Sequence, residues 1–199
     1  MTLFSDLNVQ EQWIDLPNGR LLLIEDFLSH NEANNLMAYL KNHVPWSQEK
    51  IKMFGRLIAQ PRLQAWYGDK TYTYSGLTMS ATPLTKPMLE VKTRCESVAK
   101  QTFNSVFLNL YRNGQDSMGA HQDNEPELGK NPTIASLSLG ATRRFSLKHM
   151  KTHQTHNIDL THGSLLVMAG EMQHHWKHSL PKTKRVLDER INLTFRAIY

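Results

Sequence analysis

The chain of 199 residues has a single cysteine, Cys95, so no internal disulfide can form and a reducing compartment suits it. Long apolar runs are missing as well. No stretch approaches the ~18 consecutive apolar residues of a membrane span, which excludes a spanning helix, and no membrane partner is expected. The opening MTLFSDLNVQEQW carries an acidic residue and lacks the apolar core of a secretory signal, so a cytoplasmic protein is expected. Internal repeats and low-complexity segments are absent too, which excludes a repeat architecture.

What is present is an ordinary globular composition, 40% hydrophobic and 21% charged. The length fits one domain with a real core, expected to be monomeric. Lys and Arg number 23 against 18 Asp and Glu, a net charge of +5 that suits a polyanionic partner without requiring one.

Residues 1–19 read as a polar lead-in that ends in a turn at Pro17-Asn18-Gly19, with a first strand over Leu21 to Glu25. Ser29 and Glu32 have capping-box spacing; Ala33, Leu36, Met37 and Leu40 then recur at helical intervals, predicting a helix over about 30–43. A second helix is expected over about 86–102, with Pro87 near its start and Met88, Val91, Cys95 and Val98 as its apolar stripe. That stripe makes Cys95 inert packing. Strands are expected at Ser105–Tyr111, Ile134–Leu139, Arg144–Lys148, Asn157–Leu160, Ser164–Met168 and Arg190–Arg196. They fit an α+β, mainly β fold: a jelly roll, or double-stranded β-helix, over about 105–199 with two flanking helices. His149, His153 and His156 fall in a connection, read as a solvated hairpin loop.

The chemistry starts at His121 and Asp123. In an extended segment two residues at this spacing project to one side, so an imidazole and a carboxylate can share a metal ion. In Arg190–Arg196, Ile191, Leu193 and Phe195 form one face, while Arg190, Asn192, Thr194 and Arg196 form the other. Two guanidinium groups flanking an amide and a hydroxyl suit a small molecule with a carboxylate at each end. Twelve residues before Arg190 is His178, in a segment that also offers His174 and His175. Two His and one Asp with open positions make the facial triad of non-haem Fe(II) oxygenases, and a dicarboxylate strip beside it implies 2-oxoglutarate. A zinc hydrolase also uses two His and a carboxylate, but has no need of the paired arginines.

His121-x-Asp123, His178 and Arg190-x-Asn192-x-Thr194-x-Arg196 together resemble the AlkB family of iron- and 2-oxoglutarate-dependent nucleic-acid dealkylases. The similarity runs from about Leu21 onward through Pro61-Arg62, Tyr67-Gly68-Asp69, Tyr72-Thr73-Tyr74-Ser75, Asn109-x-Tyr111 and Ile134-Ala135-Ser136. It continues through His162-Gly163-Ser164-Leu165 and His178-Ser179-Leu180-Pro181, and is nearest to the DNA-repair demethylases that act on duplex DNA. The resemblance selects His178 as third ligand, so that His121, Asp123 and His178 hold Fe(II) while 2-oxoglutarate and O2 are co-substrates. It assigns Arg190 and Arg196 to the carboxylates of 2-oxoglutarate, Arg190 to the distal one, with Asn109, Tyr111, Asn192 and Thr194 completing its hydrogen bonds. The implied reaction is oxidative demethylation of N1-methyladenine and N3-methylcytosine, releasing succinate, CO2 and formaldehyde.

Residues 48–80 are expected to form a nucleotide-recognition lid. Lys50 to Leu57 read as a hairpin whose Phe54-Gly55 tip is flanked by cations such as Arg56. An exposed apolar residue among phosphate-seeking charges is what a duplex wedge requires, and the resemblance implies that role for Phe54. Tyr72 and Tyr74 share a face if extended, a stacking platform for an extruded base, with Thr73 between them; Trp66 and Tyr67 are read as structural. The resemblance puts Asn124 and Glu125 beside the base, where Glu125 can pair with an amino group or balance an alkylated ring; the family often has Asp at position 124. Lys182, Lys184 and Arg185 form a basic loop suited to DNA phosphates. The alternatives are the same chemistry on single-stranded DNA or RNA, and a module that binds damaged DNA without turnover.

Overall fold

A computed structural model of the chain describes residues 13–53, 55–74 and 77–199. It begins with strands β1 (Trp13–Leu16) and β2 (Gly19–Ile24) and helix α1 (His30–His43). Short strands β3 (Lys50–Met53), β4 (Arg56–Ala59), β5 (Leu63–Gly68), β6 (Tyr72–Tyr74) and β7 (Leu77–Met79) lead to α2 (Lys86–Ala99). Next come β8 (Ser105–Tyr111), β9 (Met118–His121), β10 (Ile134–Gly140), β11 (Arg143–His149), β12 (Thr155–Leu160) and β13 (Leu165–Ala169). A short helix α3 (Met172–His175), then β14 (Trp176–Leu180) and β15 (Arg190–Arg196), complete the chain.

Alternation along the strands divides the protein into layers. Strands β1-β2-β13-β10-β15-β8-β5 form one sheet and β12-β11-β14-β9 a second, the two faces of the jelly roll. From β8, β10 and β15, Val106, Leu108, Leu137, Leu139, Ile191, Leu193 and Phe195 project into a core shared with α1 and α2. The opposite faces of the same strands look toward the four-stranded sheet. There Tyr111, Ile134, Phe145, Leu147, Trp176 and Leu180 make a second core. Polar residues on β8 and β15 interrupt that second layer, and the cavity lies where they do.

α1 has the bounds its spacing predicts. Ser29 Oγ accepts from the Glu32 amide and Glu32 Oε2 accepts from the Ser29 amide (2.8 Å), a reciprocal cap worth ~1 kcal/mol. α2 stops at Ala99, short of the expected end, because Lys100 turns left-handed (φ 52°). Cys95 is fully buried in the core, and burial pushes its thiol well above the usual range.

Three expectations are corrected. Residues 13–16 are not lead-in but strand β1, paired with β2 through a turn at Pro17-Asn18. α3 is a third helix, too short to leave a periodic signal. His149 is not in a solvated loop: it closes β11, is buried, and stacks against His175 (6.0 Å) while its Nδ1 accepts from the Thr152 amide. The expected hairpin is formed by β3 and β4 in antiparallel register, Met53 opposite Arg56. That register leaves a two-residue turn in which Gly55 has φ 77°, a value glycine adopts without strain; Phe54 itself lies outside the described residues. Among the described residues, no helix is long and apolar enough to cross a membrane.

Leu193 is fully buried in a central strand, so Leu193→Ala is expected to cost about 2–5 kcal/mol in urea unfolding. Leu57→Ala, at a position 73% exposed, should stay within about 0.5 kcal/mol of the parent chain.

Candidate active site

β9 and β14 run antiparallel with His121 directly opposite His178, so strand pairing alone makes neighbours of two imidazoles 57 positions apart in the chain. Their rings are 4.2 Å apart between centroids and cross at 65°. Asp123 lies two residues past the end of β9, and its Oδ1 is 3.6 Å from His121 Nε2. One ligand-capable atom from each of His121, Asp123 and His178 falls within 4.8 Å of the others. His121 Nδ1 is 2.9 Å from the Gly119 carbonyl, which requires Nδ1 to donate and leaves Nε2 as the ring nitrogen that faces Asp123. His174 and His175 are elsewhere: both are on α3, where His175 faces Glu171 at 3.5 Å.

Arg196 Nη2 donates to Asp123 Oδ2 at 2.7 Å and Nε does so at 3.2 Å, both sides being buried. Burial alone would push the Asp123 carboxyl up. Arg196, helped by His178 and His121, outweighs it and holds the group at about 2. Burial drives His178 the other way, to about 3, and the neighbouring His121 adds to that effect. At neutral pH the centre therefore presents an ionised Asp123 carboxylate and a neutral His178 imidazole. Asp123 Oδ1 and His178 Nδ1 are buried and make no hydrogen bond. A bare carboxylate oxygen in a dry site is costly unless a cation meets it, and this donor set suits a divalent iron ion.

The polar face of β15 continues the same cavity. His121, Asp123 and His178 line it together with Asn109, Tyr111, Arg190, Asn192, Thr194 and Arg196. Arg190 donates from Nη2 to Ser138 Oγ (2.9 Å) and stands over the Tyr111 ring at 5.4 Å. Its Nε is buried without a partner, and among the described residues no carboxylate pairs with it. Burial lowers this guanidinium to about 10, so it stays cationic at neutral pH. Asn192 spends its amide on β10, donating to Ser136 Oγ (2.8 Å) and the Leu137 carbonyl (3.0 Å), while Thr194 donates to Asn192 Oδ1 (2.9 Å). These two side chains brace the strip from within. Asn109 Oδ1 accepts from Arg62 Nε (2.8 Å), which fixes the orientation of the Asn109 amide and makes Nδ2 its donor atom.

The remaining candidates are more dispersed. Gly55 and Arg56 are exposed at the β3–β4 turn; Tyr72, Thr73 and Tyr74 make up β6, which pairs with β7. Asn124 is exposed and Glu125 half-buried, immediately after Asp123. Lys182, Lys184 and Arg185 are exposed on the loop between β14 and β15. Arg62, Ser138 and Gln173 support the site without having been assigned to it. Arg62 at least belongs to a matched motif, Pro61-Arg62, whereas Ser138 and Gln173 carry no signal beyond polarity in an apolar context.

Comparison with known proteins agrees with this geometry. The family model of the 2OG-Fe(II) oxygenase superfamily matches residues 20–196. Alpha-ketoglutarate-dependent dioxygenase alkB homolog 3 of Homo sapiens is 41% identical over 195 residues, 92% of this chain and 68% of that protein. The chain belongs to the AlkB family of 2OG-Fe(II) oxygenases. DNA oxidative demethylase ALKBH2 of Bos taurus is 41% identical over 180 residues, 84% of this chain and 65% of that protein. The solved structure of OsALKBH1 shares the fold, with a TM-score of 0.65 and 16% identity over 94% of this chain and all of that one. As an AlkB-family dioxygenase the protein uses Fe(II), 2-oxoglutarate and O2.

His178 has a folded value near 3 against an ordinary 6.5, so between those values the unfolded chain binds a proton that the folded chain refuses. Lowering the pH therefore favours unfolding, by up to about 1.4 kcal/mol per pH unit. Metal-free protein should lose stability steadily from pH 6.5 toward 4 in denaturant titrations, and His178→Gln should flatten that slope. A slope unchanged in the variant would assign the proton uptake elsewhere.

Proposed function

We propose that this dioxygenase repairs alkylated DNA, removing the methyl group from N1-methyladenine and N3-methylcytosine. The observation that carries the reading is the shared cavity: a His-Asp-His set with an ionised, buried Asp123 and a buried Arg190 that has no counter-ion among the described residues face the same space. The similarity to a bovine DNA oxidative demethylase supports the choice of substrate.

In this reading His121, Asp123 and His178 hold Fe(II), which supplies the oxidising power drawn from O2 as 2-oxoglutarate becomes succinate and CO2. Arg190 takes the distal carboxylate of 2-oxoglutarate through its unpartnered Nε, with Tyr111 against its cationic face. Asn109, with its oxygen held by Arg62, donates to the same co-substrate. Arg196 keeps Asp123 ionised and presents positive charge at the metal end of the strip. Buried walls exclude water from the reacting carbon. Hydroxylation converts N–CH3 to N–CH2OH, which breaks its C–N bond to give formaldehyde and the unmodified base.

The segment over 48–80 serves as the nucleotide-recognition lid of a single domain. Phe54, next to Gly55 and Arg56 in the sequence, wedges the duplex as the damaged base leaves the stack. Tyr72, Thr73 and Tyr74, with Asn124 and Glu125, receive that base. Lys182, Lys184 and Arg185 hold backbone phosphates.

Purified protein with Fe(II), 2-oxoglutarate and oligonucleotides carrying N1-methyladenine or N3-methylcytosine should release formaldehyde, and Asp123→Ala should release none. Phe54→Ala should lose turnover on duplex and keep it on single strands. Equal turnover by Asp123→Ala would reject the ligand set, and a Phe54→Ala defect independent of strandedness would reject the wedge.

A further inference from the structure

We infer that Gln173, on the short helix α3, is the residue that positions the backbone of Asp123. The inference rests on Asp123 being a metal ligand, as proposed above.

β9 ends at His121, so no strand ladder supports residues 122–125. Arg196 restrains the Asp123 carboxylate, but a side-chain ion pair leaves the main chain free to pivot around it. What fixes the main chain is a clasp from α3. The Asp123 amide donates to Gln173 Oε1 at 3.0 Å, and Gln122 Nε2 donates to the Gln173 carbonyl at 2.8 Å. Gln173 is 1% exposed, and its own Nε2 reaches Met168 Sδ at 3.7 Å. Because the Asp123 amide can only donate, the Gln173 side chain must present its oxygen there, and its orientation is set. α3 leads straight into β14, which carries His178. One residue therefore ties the segment bearing the carboxylate to the strand bearing the second imidazole. Partners of this kind around metal ligands orient the donors, and their loss typically weakens metal binding about 10–100-fold.

Gln173→Met keeps the length and burial of the side chain and removes the acceptor. The full chain, stripped of metal, is titrated with Mn(II) alone, and free Mn(II) is read by electron paramagnetic resonance. The Mn(II) dissociation constant of Gln173→Met should rise about 10–100-fold, while the KM for 2-oxoglutarate at saturating metal stays at the parent value. His174→Ala, an exposed neighbour on the same helix, should bind Mn(II) as the parent does. Parent-like Mn(II) affinity in Gln173→Met, or a rise in both constants together, overturns the positioning role. Should Gln173→Met fail to fold, Gln173→Leu, which also lacks the acceptor for the Asp123 amide, is titrated in its place, and parent-like Mn(II) affinity there overturns the role equally. Asp123→Ala run alongside separates the two claims: if it binds Mn(II) as tightly as the parent, the ligand assignment itself has failed.

Discussion

The site depends on the buried contact between Asp123 and Arg196. A carboxylate with no solvent exposure would ordinarily take up a proton and cease to be a metal ligand. The guanidinium at 2.7 Å reverses that balance, and it can do so because it is itself buried and reaches the same oxygen through two nitrogens. Breaking such a pair on one side leaves an uncompensated charge, at a typical cost of about 3–5 kcal/mol. Ionisation at Asp123 and neutrality at His178 then follow from a single local field, with burial opposing the first and favouring the second.

The fold supplies that field by using both faces of one strand. On β15, Ile191, Leu193 and Phe195 complete the helix-covered core, while Arg190, Asn192, Thr194 and Arg196 line the cavity. Central placement between β10 and β8 lets Ser136, Ser138 and Asn109 meet those polar groups across the ladder. His162 adds a restraint at the strand's beginning, accepting from the Gly140 amide (2.7 Å) just opposite Arg190. The strip is thereby rigid before any co-substrate arrives, which limits the ordering cost of binding.

Local rules made much of this legible in the sequence. The capping box at Ser29 and Glu32 and the alternation in Ser105–Tyr111 and Arg190–Arg196 each depend on neighbours within a few positions, and the chain obeys them. His121 and Asp123 were legible as a pair, although Asp123 proves to lie beyond its strand. Other features depend on contacts too distant for spacing to reveal. β1 is only four residues long and lies on an edge, with Ile14 and Asp15 facing water, so no alternation in Trp13–Leu16 marks it as a strand. His149 looks like loop because its burial comes from His175 and Trp176, far along the chain. Gln173 reads as any polar residue until the fold brings Asp123 to it across 50 positions.

The central claim is that one cavity holds the metal and the co-substrate side by side. An anaerobic crystal structure with Mn(II) and 2-oxoglutarate tests it most directly. One Mn(II) bound by His121, Asp123 and His178 is expected, with the distal carboxylate of 2-oxoglutarate on Arg190. Mn(II) bound without Asp123, or a carboxylate held away from Arg190, would contradict it.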